Sequence, residues 1–402
     1  MKVVICGAGI AGLALAQRLD AFGVEVVVVE KAPGPRTQGY MIDFFGPGYD
    51  AAEAMGVLPR IRELGYHVEE MTYRDHHGRR RSRMRFAQFA KIVNGRLVSI
   101  MRPDLERALR EHLPDRVDVR HATKLTGIDN RTDGVTVTLS DDSTIEADLL
   151  VGADGIHSTV RSQVFGPEPE FLRYLGFHTA AYSFDDADIH AQVAGQFCLT
   201  DTVNRQMGFY ALRDQRVAVF TVHRTPDPAL PADPRAAIRH EYAALGWAAP
   251  RALDACPPPE QVYYDQVAQI DMPTWSRDRV VLIGDAAHAV SLLAGQGASL
   301  GITGAYVLAE HLSRTDTIET ALRRYEQTLR PVVTDRQQAA RNGTRWFIPA
   351  TTRQLRLRRA ALKLARFPVI DRYVAAALVG KSTAVITNLH TTSRQAPLTN
   401  AT

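Results

Sequence analysis

Residues 2–12 read KVVICGAGIAG, and this stretch decides the fold. Its apolar first half predicts a buried parallel strand, and the G-x-G-x-x-G turn that follows opens a helix predicted for residues 10–22. In such a turn Gly7 permits the reversal, Gly9 lets the backbone approach a pyrophosphate, and Gly12 allows helix and strand to pack closely. Because the helix start carries free N–H groups and the positive end of its dipole, the turn is predicted to bind a dinucleotide phosphate.

A second strand is predicted for residues 24–29, and Glu30 lies at its carboxyl end. A carboxylate about 20 residues beyond the glycines accepts hydrogen bonds from ribose hydroxyls and repels a 2′-phosphate, so this site favours FAD or NAD over NADP. A plain tight turn is the alternative interpretation, but it requires neither the second strand nor the terminal acid.

Length and composition are those of a soluble protein with two lobes. The chain has 402 residues, of which 45% are hydrophobic and 23% charged, and its 48 basic against 44 acidic residues do not by themselves indicate a nucleic-acid partner. Cys6, Cys198 and Cys256 are far apart, with no C-x-x-C and no zinc spacing. With no signal peptide and no apolar run of about 18 residues, a reduced, cytoplasmic protein without a membrane partner is predicted.

The next part of the chain predicts further pieces of the first lobe and a hairpin. Arg36 lies in a Pro- and Gly-rich loop and Arg102 at a helix entrance, where both can contact an anionic cofactor; a solvated loop arginine is an equal alternative for Arg36. Strands predicted at 66–75 and 79–89 flank a turn at 76–78, and short antiparallel strands are predicted at 117–122, 125–130, 135–140 and 143–146. The arginines at 79–85 are interpreted as a solvated hairpin rim, in preference to a surface that attracts an anionic substrate.

Two more buried strands end in a glycine and an aspartate. Residues 149–155 end in Asp154-Gly155, with Arg161 one helical turn further, a pattern that fits either a pyrophosphate-side motif or an ordinary strand-to-helix turn. Residues 280–288 contain Gly284-Asp285, and Asp285 can accept from a sugar-like hydroxyl. The helix predicted to open at residues 295–299 stabilises negative charge at its glycine-rich start, whereas His288 is interpreted as a structural histidine.

Residues 167–274 change to alternating strands and predict a second, mostly antiparallel lobe. Its aromatic and polar side chains, among them Phe209, Arg213 and Phe220, are candidates to line a substrate pocket, although packing is the more common role for any one of them. The tail at 318–385 predicts helices with breaks at Pro331, Pro349 and Pro368; its basic stretch from Arg353 to Arg366 favours a helix bracing the lobes over one lying on a membrane.

Together these motifs resemble the single-component flavin monooxygenases typified by para-hydroxybenzoate hydroxylase, and the basic tail is similar to the subgroup that includes tetracycline-inactivating monooxygenases. The resemblance implies an α/β fold: a Rossmann-like FAD-binding domain (1–72, 97–166 and 275–330), an α+β substrate domain on a mostly antiparallel sheet (73–96 and 167–274), bracing helices (331–390) and a disordered end (391–402). Two departures affect the flavin-side loop, since many members have Pro-Pro at Ser291-Leu292 and Asp at Gly304.

The motifs and the resemblance together assign a set of cofactor-binding residues and no metal. The set is Gly7, Gly9, Ile10, Ala11, Gly12, Glu30, Lys31, Arg36, Arg102, Leu125, Asp154, Gly155, Gly284, Asp285, Gly295, Gln296, Gly297, Ala298 and Ser299.

The activity implied by the resemblance is oxygen insertion into an aromatic or polyketide-like molecule through a flavin hydroperoxide, with FAD as cofactor and NADPH or NADH as co-substrate. No second G-x-G-x-x-G unit occurs, so the nicotinamide cofactor is expected to bind transiently to a monomer or weak dimer. The alternatives are a flavin-dependent dehydrogenase or reductase, a halogenase of related fold, and a non-catalytic flavoprotein that sequesters a ligand. The substrate itself is not readable from the sequence.

Overall fold

A computed structural model describes residues 1–292, 295–364, 385–386 and 389. Its strands are β1 (Lys2–Cys6), β2 (Glu25–Val29), β3 (Met41–Phe45), β4 (Glu70–Arg74), β5 (Arg80–Arg85), β6 (Leu97–Met101), β7 (Asp118–Arg120), β8 (Leu125–Asn130), β9 (Val135–Leu139), β10 (Thr144–Ala147), β11 (Leu149–Gly152), β12 (Leu172–Asp185), β13 (Gln196–Thr202), β14 (Arg205–Ala211), β15 (Arg216–Arg224), β16 (Tyr263–Ile270), β17 (Ser276–Arg277) and β18 (Val280–Leu282). Its helices are α1 (Ile10–Asp20), α2 (Pro47–Ala54), α3 (Leu58–Glu63), α4 (Phe86–Ile92), α5 (Arg102–Glu111), α6 (Thr159–Val164), α7 (Ala187–Val193), α8 (Pro234–Glu241), α9 (Ala249–Asp254), α10 (Asp285–His288), α11 (Gly297–Arg314), α12 (Ile318–Phe347) and α13 (Thr352–Leu364).

The first lobe is built on a sheet of strand order β17-β18-β11-β1-β2-β7. β1 pairs in parallel with β2 and β11, and β18 pairs in parallel with β11, so all three glycine-containing motifs follow strands whose carboxyl ends share one edge. The sequence assigned residues 117–122 to an antiparallel sheet, and this was wrong. β7 pairs in parallel with β2, because three residues at a sheet edge carry too little pattern to indicate their partner.

The second lobe is one sheet of order β16-β12-β15-β14-β13-β4-β5. The β4–β5 hairpin joins it through parallel pairing of β4 with β13. One face of the sheet is covered by α7, α8 and α9, and the other contacts the two-stranded ribbon of β3 and β6 from the first lobe. Residues 79–89 do not form one strand as predicted, since β5 ends at Arg85 and α4 follows. That helix buries Phe89 edge-on against Phe45, with ring centroids 5.4 Å apart.

The C-terminal part is helical, and α12 runs unbroken through Pro331, contrary to the break predicted there. The missing proline hydrogen bond is tolerated because Leu329, Val332 and Val333 bury their side chains in the core next to α11. The chain does break between α12 and α13, at Pro349. Pro368, Arg366 and residues 391–402 lie outside the described residues. Among the described helices, none is both long and apolar enough to cross a lipid bilayer.

Candidate functional site

A groove of about 270 Å³ runs along the carboxyl edge of the first sheet. The loops after β1, β2 and β11 form its walls, together with the start of α5. Of the residues assigned to the cofactor from sequence, the groove is lined by Gly7, Gly9, Glu30, Lys31, Arg36, Arg102, Leu125, Asp154 and Gly155. Residues separated by more than a hundred positions in the chain therefore meet along one elongated surface.

The glycines of the turn divide into two that pack and one that faces the groove. A side chain at Gly7 would place its Cβ 2.5 Å from the Ala153 carbonyl oxygen, and one at Gly12 would lie 1.9 Å from the carbonyl oxygen of Gly7. At Gly9 the nearest atom is Nη2 of Arg102, at 3.9 Å. Bare backbone thus faces a cation across an open space, which is the arrangement that a pyrophosphate requires.

Glu30 holds the phosphate-side turn in place as well as lining the groove. Its carboxylate accepts hydrogen bonds from the backbone N–H groups of Ala8 and Ala32, each at 2.8 Å. The carboxylate lies between the turn and the end of β2, in the position from which the sequence predicted it would contact a ribose.

More cations than acids line the groove. Its cations are Lys31, Arg36, Arg102, Arg110 and Lys124, and its acids are Glu30, Glu106 and Asp154. Glu106 pairs with Arg102 at 3.3 Å. Burial raises the pKa of the Glu106 carboxyl, and Arg102 opposes that rise. The excess of cations suits a diphosphate, because guanidinium groups bind its oxygens through charge-assisted hydrogen bonds.

The residues of the third motif, Gly284-Asp285 and Gly295–Ser299, are not among those that line the groove; they are linked to it through Arg102, whose charge acts on Asp285. A Cβ on Gly297, the first residue of α11, would lie 3.5 Å from Oδ1 of Asp285, so this carboxylate lies against the helix start. Asp285 is accessible to solvent, yet burial raises the pKa of its carboxyl, with Arg102 acting in the opposite direction.

Several residues of the assigned set pack the site instead of lining it. Ile10 is buried in the core, and a side chain at Gly284 would meet Ala11 at 3.0 Å. The Ser299 hydroxyl accepts from the N–H of Gly48 at 3.0 Å and donates to the carbonyl of Phe45 at 2.7 Å. These contacts fix α11 against α1 and α2. Any contact of Ser299 with a cofactor would therefore fall to its backbone.

The second motif supports the groove through a helix cap. The Asp154 carboxylate accepts from the Ser158 hydroxyl at 2.5 Å and from the N–H of Thr159 at 2.7 Å, and so caps α6. The proposed role of Arg161 as a charge for the pyrophosphate is not supported. Its buried guanidinium donates to the carbonyl of Ala286 at 3.0 Å and pairs with Glu168 at 3.0 Å, so it ties α6 to α10.

Two of the three second-lobe candidates make structural contacts, and their contact with a substrate stays a prediction. Phe209 is fully buried on the helix-covered face, edge-on to Trp247 with ring centroids 5.1 Å apart. Arg213 donates to the carbonyl of Leu64 at 2.8 Å and pairs with Asp104 at 3.3 Å, so it joins the two lobes.

Phe220 does face the first lobe, in an aromatic group that sequence reasoning missed. Its ring centroid lies 5.9 Å from that of Tyr40, which lies 5.6 Å from that of Tyr263. Burial raises the pKa of Tyr40. Arg102 lowers this pKa, and Asp285 raises it further. The aromatic group therefore lies between the lobes, close to Arg102 and Asp285.

His157 joins the lobes through two carboxylates. Its Nδ1 lies 3.0 Å from Glu168 and its Nε2 lies 3.2 Å from Asp265 of β16. The hydrogen bond with Asp265 is the main cause that raises the pKa of His157 to about 9. Because this value exceeds that of the unfolded chain, the stabilisation is complete below about pH 6.5 and is lost as the pH rises through 9.

We expect His157→Gln to remove about 1 kcal/mol of stability at pH 6, allowing for solvent screening of a half-exposed pair, and to have little effect above pH 9. Urea unfolding between pH 6 and 9.5 measures this. His67→Gln changes an exposed histidine beside Glu69 and is the control. Parallel pH profiles for wild type and His157→Gln would refute the assignment.

A two-lobed molecule whose parallel-sheet lobe carries a dinucleotide groove, packed against a second lobe on a mostly antiparallel sheet, has the fold of the para-hydroxybenzoate hydroxylase class of flavoproteins. Residues 1–340 match the family model described as FAD binding domain, and the chain belongs to that family. FAD is accordingly its cofactor, and the expected class of FAD-dependent monooxygenase is confirmed.

Three comparisons illustrate the relationship. An uncharacterised protein of Mycobacterium tuberculosis is 32% identical over 317 residues, which cover 77% of this chain and 84% of the relative. A flavin-dependent monooxygenase from an unknown prokaryotic organism is 28% identical over 340 residues, covering 83% and 86%. The crystal structure of the tetracycline destructase Tet(55) superposes with a TM-score of 0.79 at 25% identity, covering 94% of this chain and 96% of that one.

Proposed function

We propose that this monooxygenase takes its electrons from NADPH or NADH and inserts one oxygen atom of dioxygen into an aromatic or polyketide-like small molecule bound between the lobes. The observation that carries the proposal is the aromatic group of Tyr40, Phe220 and Tyr263, which lies close to Asp285 and to the groove residue Arg102. A flat, electron-rich substrate packs well against such rings. The name of the structural relative Tet(55), a tetracycline destructase, supports a polycyclic substrate and a role in antibiotic modification.

In this proposal the protein positions the cofactor and the substrate and shields them from water. FAD, when bound, supplies the hydride-accepting and oxygen-activating chemistry. The Gly9 backbone and Arg102 would hold the pyrophosphate, and Glu30 would orient the ribose. Asp285 would accept from the ribityl hydroxyls, and the start of α11 would stabilise negative charge on the ring. The aromatic group would exclude water from the space beside the ring.

Measuring oxygen uptake by the purified protein with NADPH and with NADH in an oxygen electrode tests the proposed function. We expect oxygen consumption that rises with a phenolic or polyketide substrate, and a product heavier by one oxygen atom in mass spectrometry. Product formation that needs chloride and external reduced flavin would identify a halogenase. Substrate turnover without oxygen uptake would identify a dehydrogenase, and ligand binding without turnover a sequestering protein. Size-exclusion chromatography of the same sample tests the expected monomer or weak dimer.

Arg102→Ala is expected to weaken FAD binding about 10- to 100-fold, because one charge-assisted contact to phosphate contributes about 1.5–3 kcal/mol. Fluorescence titration of the apoprotein with FAD measures the affinity. Arg107→Ala is the matched control on the same helix, since Arg107 is exposed and pairs with Glu111 at 2.6 Å. Equal FAD affinity in the two variants would mean that Arg102 does not contribute to FAD binding.

A further inference from the structure

A buried carboxylate lies among the cations of the cofactor groove. Glu106 lines the groove, and only 5% of its surface is exposed. Two further acids line the groove, and backbone N–H groups hold both: Glu30 accepts from Ala8, and Asp154 accepts from Thr159. Glu106 instead contacts two arginines, so its negative charge acts directly on the cations that an anionic cofactor would meet.

Glu106 and its two arginines form one row along α5. Arg102, Glu106 and Arg110 follow one another at i,i+4 spacing, which puts them on one face of the helix. Oε2 of Glu106 lies 3.3 Å from Nη1 of Arg102, and Oε1 lies 3.9 Å from Nη1 of Arg110. Each carboxylate oxygen therefore faces a different cation.

This pairing also orients Arg102. Its Nη1 donates to Glu106, while its Nη2 is the atom nearest to a Cβ placed on Gly9, at 3.9 Å. A guanidinium that is held through one nitrogen loses less conformational freedom when the other nitrogen binds an anion. Glu106 therefore positions Arg102 for the pyrophosphate that the backbone of Gly9 would approach.

The charge of the same carboxylate opposes the cofactor. Burial is the main cause that raises the pKa of Glu106, because desolvation disfavours the ionised form. Arg102, Arg110 and Arg36 act to lower that pKa. Glu30 acts to raise it. A diphosphate bound by the same arginines adds negative charge, so it would raise the pKa of Glu106 further.

We infer that Glu106 positions Arg102 for FAD and takes up a proton when FAD binds, so that the protein binds FAD more tightly as the pH falls. The proton comes from water, and the carboxylic acid that forms keeps a carbonyl oxygen that accepts from Arg102. Affinity rises as the pH falls through the pKa of Glu106 in the loaded protein, and it becomes constant below the pKa in the free protein. The inference rests on the placement of the FAD pyrophosphate proposed above and not on the oxygenation reaction.

Fluorescence titration of the apoprotein with FAD at pH 5.5, 7 and 8.5 tests the inference. For wild type we expect an affinity at least about tenfold higher at pH 5.5 than at pH 8.5, the ratio expected when FAD makes protonation of Glu106 about tenfold more favourable. In Glu106→Gln we expect a ratio below about threefold, because the amide carries no charge. Its carbonyl oxygen still accepts from Arg102, so the variant should bind FAD about tenfold more tightly than wild type at pH 8.5.

Two variants control for other sources of the pH dependence. Glu111→Gln is the same substitution on α5 at a residue that does not line the groove. Contacts with Arg60 and Arg107 lower the pKa of Glu111 to about 2, so it stays charged throughout. The remaining ionisable side chains of the groove are Cys6, Lys31, His121, Lys124 and Asp154. Of these types, histidine is the one that ordinarily changes charge between pH 5 and 8, and His121→Gln removes it. Both variants should keep the wild-type ratio of affinities.

A flat affinity between pH 5.5 and 8.5 in wild type, or a rise of the same size in Glu106→Gln, would overturn the inference. Calorimetric titration of wild type with FAD at pH 6.5, in two buffers that differ in heat of ionisation, is a second measurement that needs no variant. FAD binding should take up protons, and binding without proton uptake would also overturn the inference. Failure of the cofactor placement looks different, because Arg102→Ala would then bind FAD like Arg107→Ala. Failure of the oxygenation reaction would leave all of these affinities unchanged.

Discussion

Gly12→Ala is expected to abolish FAD binding and to destabilise the first lobe by about 3 kcal/mol or more, the upper range for forcing a methyl group into a packed interior. The new Cβ would lie 1.9 Å from the carbonyl oxygen of Gly7, well inside van der Waals contact. Neither atom is at the end of a flexible side chain, so α1 must move away from β1. This movement spoils the geometry of the turn that approaches the pyrophosphate. Flavin content after purification and urea unfolding measure the two effects.

Gly9→Ala tests whether a methyl group in the turn blocks the approach of FAD when the packing of helix on strand is left unchanged. Its Cβ meets nothing closer than Arg102, at 3.9 Å, so the apoprotein should unfold at nearly the wild-type urea concentration. The methyl group projects towards the groove, and FAD affinity should still fall markedly. If Gly12→Ala bound FAD like wild type, the close packing of helix on strand would not be what shapes this site.

The sequence was informative where one local pattern determines a structure. The strand, turn and helix of residues 2–20, together with Glu30, are specified within one contiguous unit, and the structure has them in that form. The two later Gly-Asp motifs were found because each ends a short apolar run. The general rule for parallel sheets places such motifs at the carboxyl ends of neighbouring strands. A single motif does not show which strands those are.

The pocket side chains were harder to predict because both faces of the second sheet are apolar. Phe209 and Tyr210 are neighbours in β14 and both are buried, but Phe209 lies beneath the helices while Tyr210 faces the first lobe. Alternation assigns them to opposite faces without saying which face meets the other lobe. Tyr40 was missed for a related reason, since the rings it contacts, Phe220 and Tyr263, come much later in the chain.

Asp201→Ala is the second variant expected to have a large effect, at about 3–5 kcal/mol, the range for removing one partner of a buried ion pair. Asp201 is in β13, and its buried carboxylate pairs with Arg358 and, at 2.7 Å, with Arg359, both from α13. The Arg358 guanidinium also lies over the ring of Tyr73, 5.0 Å from its centroid. The variant leaves the Arg358 cation buried against the sheet without its carboxylate, and burial already lowers the pKa of that group.

The control is Asp185→Ala at the end of β12, where an exposed carboxylate pairs with Arg216 at 3.5 Å and should contribute less than about 1 kcal/mol. Urea unfolding of the FAD-loaded proteins gives both values. The double variant Asp201→Leu/Arg358→Met should recover much of the loss, because it removes both charges and keeps the volume. Equal unfolding midpoints for Asp201→Ala and Asp185→Ala would mean that α13 is not held to the second lobe by this pair. In that case, the contacts of Ile348 with Phe177 and Val222 would have to hold the tail there.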